Sequence, residues 1–313
     1  MSFRNRVPHR NSWPPPGTSQ GKTSILGPMP DRIRFIDGSA VTETVASLYS
    51  RACTEPDPAV EALLAGALKL EPPGSGRDAL EIELENFRAA GRSGLPICQD
   101  TGTAVVFIEM GHLTAVSGGP LEDFVNRGVA MAAENACLRS SQVFDPLCSR
   151  VNTGDNTPAV IHLRQVPGTG FRISVMAKGA GCENVSRSAM LPPLSGEEGL
   201  LSLAESCVRS GASRACPPLF LGIGAGGTLE YSGILAKRAL LRKAGDPNPV
   251  EYLSTLEQRV TDRLNKLGIG PQGFGGRCTV LETRILTAPC HMASLPVTVC
   301  VECHAHRTAS CEI

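Results

Sequence analysis

Aromatic residues make up only 4% of this 313-residue chain, with a single Trp, and 30 Lys and Arg balance 30 Asp and Glu. A chain poor in aromatic rings has little on which to stack single-stranded bases. A zero formal charge leaves no electrostatic footprint for a nucleic acid or an anionic membrane surface. No apolar run approaches the roughly 18 residues of a membrane span. The N-terminus also lacks the apolar core of a secretory signal, so a cytoplasmic protein is expected. Small-molecule chemistry and protein assembly remain.

What the sequence has in quantity is cysteine, glycine and proline: 12, 33 and 24 residues. Cysteines in such number would form a disulfide framework in a short secreted chain, but here they are scattered along a mid-sized one without a signal. A reducing compartment makes ligation of a metal or cluster the better reading for some of them. With 42% hydrophobic residues the chain can bury one sizeable core or two modest ones.

Residues 1–30 contain Pro8, Pro14, Pro15, Pro16, Pro28 and Pro30, have no apolar periodicity, and carry Arg4, Arg6, Arg10 and Lys22 with no acid before Asp31. They read as a flexible extension. The prolines oppose the amphipathic helix of a mitochondrial presequence, so the likeness to one is weak. Residues 31–313 read as one domain with a helical front. Val41, Val45, Leu48 and Tyr49 recur at helical spacing. A second helix starts at Pro58 behind an Asp57 cap, with Val60, Leu63, Leu64 and Leu68 inward, and a third centres on Leu80, Leu84 and Phe87. Further on, strands are predicted near 105–110, 219–223, 279–286 and 297–301, and helices near 120–138, 200–208, 234–242 and 256–267. Segments 159–163 and 171–176 flank a Val-Pro-Gly-Thr-Gly turn and suggest a hairpin. The expected fold is mixed α/β, a helical N-terminal part packed on a mixed β-sheet core with flanking helices.

Three cysteines stand apart in polar, loop-forming surroundings: Cys98 in PICQDTGT, Cys216 in ACPPLFLG and Cys303 in VECHAHR. A four-iron cluster used only for electron transfer is held by four cysteines. Three thiolates without a fourth of the same kind leave one iron open as a Lewis acid. The plainer reading is buried thiols, since free cysteine is among the most buried residue types. Pro217 and Pro218 stiffen the turn after Cys216. Cys300 and Cys303 form a C-x-x-C pair that suits zinc or a redox disulfide. From the residues alone Cys300 rivals Cys303, with Cys290 and Cys311 nearby.

Gly222 to Gly227 satisfy G-x-G-x-x-G, but the acidic residue that ends the next strand of a dinucleotide site is missing. These glycines are expected instead to let the backbone pass close to a cluster held by Cys216. His291 lies twelve residues before Cys303, and Asp100 two after Cys98. Ligation at both cysteines is expected to bring this imidazole and carboxylate together, where the carboxylate orients the ring and the pair moves a proton near neutral pH. Alone, His291 reads as a satisfied core histidine. His304 and His306 read as structural or supporting groups rather than metal ligands. Arg150 to Pro158 are rich in turn formers. Arg139 offers a bidentate guanidinium to a carboxylate, and Gly181 a backbone N–H.

PICQDTGT (96–103), RVNTGDNTPAV (150–160), KGAGCENVS (178–186), ACPPLFLGIGAGG (215–227), LNKLGIGPQGFGG (264–276) and HMASLPVTVCVECHAHR (291–307) resemble, in this order, segments of the class I fumarate hydratase and L-tartrate dehydratase family. The resemblance runs from about Thr42 to Arg307 and is to the cluster-binding domain, which forms the N-terminal part of a long chain or a separate alpha subunit. It implies a [4Fe-4S] hydro-lyase that hydrates fumarate to L-malate or dehydrates an analogue such as L(+)-tartrate. Cys98, Cys216 and Cys303 would bind three irons, leaving the fourth for a small dicarboxylate. Gln99, Arg139 and Gly181 match substrate-contacting positions, and Asp100 and His291 match the pair that protonates the departing hydroxyl. The family's remaining base and cations come from a C-terminal domain absent from this sequence, so a separate beta subunit and a hetero-oligomer are expected.

The chain departs from the family in placing Cys182 where a serine is common, beside the expected site. Glu183-Asn184 and Asp155-Asn156-Thr157 look like the fumarase branch, which ranks fumarate first and tartrate second. A non-catalytic iron–sulfur scaffold is the alternative of another class. Asp100 and His291 argue against it.

Overall fold

A computed structural model describes residues 33–313, so the readings made for residues 1–30 lie outside the described residues. The helical front forms as its periodicity predicts. Asp37 accepts the Ser39 N–H and starts α1 (Gly38–Thr54), which buries Val41, Val45, Leu48 and Tyr49. Asp57 caps α2 (Pro58–Leu70) through the Ala59 N–H, and Pro58 sits where its missing donor is not needed. α3 (Ser75–Ser93) buries Leu80, Glu83, Leu84 and Phe87 and stops at Gly94, whose φ of +67° suits glycine. β1 (Arg34–Asp37) runs parallel to β3 (Thr114–Ser117) as a small separate sheet.

β2 (Thr103–Gly111), β4 (Val160–Val166), β5 (Phe171–Lys178) and β10 (Thr308–Glu312) form a sheet ordered β10-β5-β2-β4. The hairpin expected from 159–163 and 171–176 does not form: β2 lies between the two, parallel to β4 and antiparallel to β5. The reason is apolarity on both faces of β2. Ala104, Val106 and Ile108 enter a core with α1 and α4 (Leu121–Asn135), while Val105 and Phe107 enter another. A strand buried on both sides belongs in the middle of its sheet.

β6 (Arg187–Leu191), β7 (Leu219–Gly227), β8 (Val280–Cys290) and β9 (Leu295–Glu302) make a second sheet ordered β6-β9-β7-β8. Leu219, Leu221, Ile223, Val297, Val299 and Val301 pack under α6 (Gly196–Gly211) and α8 (Glu251–Asn265). Between the sheets lies the central core. There Phe107, Met176, Phe220 and Cys300 meet α2, α3 and α7 (Leu229–Ala239). The mixed α/β class holds, and among the described residues no helix is long and apolar enough to cross a membrane.

Gly222 to Gly227 lie inside β7 rather than in a strand-to-helix loop. A Cβ at Gly222 would collide with the Ala236 carbonyl, and one at Gly224 with the Ser232 carbonyl. The expectation that these glycines admit a cluster is therefore corrected: they let α7 lie directly on the strand.

Candidate functional site

Three loops converge at one end of the two sheets. One carries Cys98, Gln99 and Asp100 into β2 at Thr103, one carries Cys216 into β7 at Leu219, and one leaves β9 after Glu302 with Cys303. Thr103 pairs with Lys178 and Phe220 with Glu302, which aligns the loop-bearing strand ends within each sheet. The buried Lys178 Nζ then donates to the Val301 carbonyl and joins the two sheets at that end.

Asp100 fastens the first loop. Its Oδ1 accepts the Gly102 N–H at 3.0 Å and its Oδ2 the Ala180 N–H at 2.8 Å, at the first residue of α5 (Ala180–Val185). Cys98 Sγ accepts the Asp100 N–H at 3.4 Å and lies 3.6 Å from Gln99 Oε1. Gly181 follows in α5, where a first-turn N–H has no intrahelical acceptor. A Cβ there would sit 3.2 Å from the Arg214 carbonyl, beside the Cys216 loop.

Cys216 adopts φ +52°, a left-handed conformation seldom taken by a non-glycine residue. His304 Nδ1 lies 3.1 Å from the Cys216 carbonyl and 3.2 Å from Glu83 Oε1. Both neighbours are acceptors, so Nδ1 carries the proton. The Gln272 N–H donates to the Pro217 carbonyl at 2.7 Å, and its side-chain amide donates to Glu83 Oε1. The Cys216 thiol is pushed up to about 11, first by burial of its sulfur and then by the Cys303 and Cys98 thiols beside it. Burial also raises the Cys98 thiol, with Arg307 opposing. Cys303 moves the other way: a hydrogen bond from the Cys182 thiol holds it well below the usual thiol range, and His304 and Arg307 add to this.

The guanidinium of Arg307 is 5% exposed, and its Nη1 has no hydrogen-bond partner. It acts electrostatically on the thiols of Cys53, Cys98 and Cys303. Cys300, the rival of Cys303, is buried inside β9 and faces the central core. Cys290 is exposed where β8 ends, at the end of the sheet away from the Cys216 loop, and Cys311 lies in β10. His306 stacks on Phe220 with ring centroids 4.4 Å apart, and its Nδ1 is 2.8 Å from Glu302 Oε2. It is structural, as its sequence context suggests. Among the described residues no three His, Cys, Asp or Glu side chains gather closely enough to hold a metal ion.

Arg139 is exposed, and its segment is tied to the Cys98 loop. Asn156, fully buried, accepts the Ser141 N–H at 2.6 Å and donates to the Arg139 carbonyl at 3.1 Å. Gln142 Nε2 donates to Thr103 Oγ1 at 2.8 Å. His291 is not brought to this site within one chain. It sits on the exposed β8–β9 turn, where its Nδ1 accepts the Ala293 N–H at 3.1 Å and its ring lines a groove of about 690 Å³ with Met190, Leu229 and Tyr231. The nine-residue strand β7 separates the two ends of the sheet, roughly 26 Å over its steps of about 3.3 Å each.

Sequence reasoning passed over Glu83, Gln272 and Arg307. Glu83 had a readable signal: at spacing 80, 83, 84, 87 it stands among the apolar positions of α3, where a carboxylate needs partners. Gln272 and Arg307 stood in motifs without an individual role.

Residues 42–312, which include all three loops and both four-stranded sheets, match the model of the fumarate hydratase (Fumerase) family, and the chain belongs to that family. Within it, the chain is similar to a Methanocaldococcus jannaschii protein provisionally named L(+)-tartrate dehydratase subunit alpha. The two are 34% identical over 274 residues, 86% of this chain and 96% of the relative. An Escherichia coli L(+)-tartrate dehydratase subunit alpha is 31% identical over 277 residues, 87% of this chain and 90% of its own length.

Proposed function

We propose that this chain is the alpha subunit of an iron–sulfur hydro-lyase for a four-carbon dicarboxylate, with L(+)-tartrate ranked ahead of fumarate. The relatives' names support that order, which reverses the one drawn from the motifs. The residues behind the fumarase reading have structural partners. Glu183 pairs with Lys237 at 2.6 Å and Lys178 at 3.5 Å, Asp155 accepts from Thr157, and Asn156 anchors the Arg139 segment.

The convergence of three cysteine loops beside the buried Arg307 guanidinium, whose Nη1 has no hydrogen-bond partner, carries the reading. A buried cation needs negative charge around it; Glu302 supplies some to Arg307, and iron-bound thiolates at Cys98 and Cys303 would add more. Cys98, Cys216 and Cys303 would hold a [4Fe-4S] cluster with one iron free of protein, supplying a Lewis acid for the C–O bond that breaks. Asp100, fixed by two backbone N–H groups, hands a proton to the departing hydroxyl. Arg139, Gln99 and the Gly181 N–H serve the substrate carboxylates. His291 joins Asp100 only if its turn is delivered by a second copy of the chain. The base that removes the proton from the adjacent carbon, and further cations, are assigned to a separate beta subunit.

The test is iron and sulfide analysis of the anaerobically reconstituted chain, with turnover of L(+)-tartrate, fumarate and L-malate measured with and without its beta subunit. Four irons per chain and partner-dependent dehydration of tartrate are expected. Partner-dependent turnover of fumarate alone would restore the first ranking, and absence of a cluster would sink the reading.

A further inference from the structure

Glu83 takes part in no step assigned above, yet one of its oxygens meets both residues that hold the Cys216 turn. The side chain reaches in from α3 and is 5% exposed. Its Oε1 accepts from the Gln272 amide and lies 3.2 Å from His304 Nδ1. Gln272 in turn donates its backbone N–H to Pro217, and the same His304 nitrogen is 3.1 Å from the Cys216 carbonyl. His304 is bonded directly to Cys303. A single buried oxygen thus links the Cys216 and Pro217 carbonyls, through His304 and Gln272, to the residue after Cys303.

This placement is poor design for stability alone. Glu83 Oε2 is buried with no hydrogen-bond partner, and an incompletely satisfied buried carboxylate costs the fold more than an apolar residue would. Glu71 offers the contrast. It ends α2, is equally buried, and both its oxygens accept the Arg277 N–H at 2.8 and 2.9 Å, so it closes the helical front onto the same glycine-rich loop without touching His304 or Gln272.

We propose that Glu83 is a positioning residue that holds the Cys216 and Cys303 loops in register for the iron–sulfur cluster, acting through Gln272 and His304. The inference rests on the cluster reading above. Groups hydrogen-bonded directly to a ligand typically change metal affinity 10–100-fold when removed, and Glu83 stands one contact further out, so the lower end of that range is expected. Glu83→Gln keeps an acceptor for the Gln272 amide, whereas Glu83→Ala keeps none. Gln272→Gly removes only the amide arm, because the φ of +49° at that position suits glycine.

The experiment loads the full chain and its variants anaerobically, counts iron and sulfide, and follows iron release to a ferrous chelator. Cluster EPR is recorded in parallel, and urea midpoints confirm folding. Glu83→Ala and Gln272→Gly are expected to release iron on the order of tenfold faster with an altered EPR signal, Glu83→Gln to lie nearer the parent, and Glu71→Gln to lower the urea midpoint without changing release. Parent-like release from both Glu83→Ala and Gln272→Gly would overturn the proposal. So would equal acceleration by Glu71→Gln, which would mark a general loosening of the fold. If the parent chain takes up no cluster, the reading beneath fails first and this one with it. A loaded parent with indifferent variants rejects Glu83 alone.

Discussion

The carboxylate of Asp100 accepts the backbone N–H of Ala180 at 2.8 Å, which ties the Cys98 loop to the first turn of α5. Its other oxygen holds Gly102, so one side chain fixes two backbone segments beside the cysteines. Asp100→Ala should cost about 2 kcal/mol, because hydrogen bonds to charged groups contribute more than neutral ones and this one is partly exposed. Asp100→Asn keeps one acceptor and should cost about half as much. Both should abolish turnover. Urea denaturation and an assay of the loaded enzyme check the two effects separately, and full turnover by Asp100→Asn would remove its role as acid.

His291 lies at the end of the second sheet away from the loops that carry Asp100 and the three cysteines, so a shared site needs two copies. Mixing inactive Asp100→Ala and His291→Ala chains should then restore partial activity, since some mixed assemblies carry one intact pair. A mixture as inactive as its components, with subunit exchange verified by mass spectrometry, excludes the shared site.

Thiol reactivity should sort the cysteines by environment, because the thiolate is the nucleophile. Cys137, Cys148 and Cys290 are exposed and should alkylate quickly in the native chain. Cys53 and Cys207 are buried, with thiols pushed up to about 11, and should label only on unfolding. Cys216 is exposed, but its thiol is also pushed up to about 11, so in the cluster-free chain it should label more slowly than Cys137, Cys148 and Cys290, and loading should protect it. Peptide mapping after a short iodoacetamide pulse reads this out. Equal labelling of Cys216 in both states counts against its ligand role.

Gly222→Ala should cost about 3 kcal/mol, the upper part of the range for overpacking, because the new methyl meets the backbone of α7 rather than a movable side chain. Gly66, inside α2, has nothing within 4 Å of a new Cβ. Gly66→Ala should therefore stabilise by about 0.5–1 kcal/mol, the helix-propensity gain. Thermal or urea unfolding of the two variants gives opposite signs if the packing is as described.

Burial pushes the Glu83 carboxyl up from its ordinary 4.5 to about 7, against the pull of His304 and Gln272. The unfolded chain ionises this group first, so its contribution is whole below pH 4.5 and is lost as pH rises through about 7. A shift of this size corresponds to about 3 kcal/mol. Between pH 5 and 7.5 the cluster-free chain should lose stability, and Glu83→Gln should flatten that slope. An unchanged slope in urea titrations would assign the pH dependence to other groups.

The helical front was legible because caps and periodicity are local: Asp57, Pro58 and the spacing of Val60 and Leu64 act within a few residues of one another. The strands were legible as segments, but their partners were not. Nothing near the Val-Pro-Gly-Thr-Gly turn announces that β2, about fifty residues earlier, takes the place between its flanking strands. The glycines of β7 were visible, yet their purpose depended on a helix lying over them. Cys303 and Cys300 look alike in sequence, and only the end of β9 separates a loop thiol from a core thiol.

The helical front, the mixed α/β class and the motifs that place the chain in its family are written along the chain, because spacing, capping and motif order are properties of neighbouring residues. Strand order, the separation of His291 from Asp100, and the meeting of Glu83, Gln272 and His304 at the Cys216 turn arise in the folded packing. Those depend on which faces are buried together, and burial is settled by segments far apart in the chain packing at once.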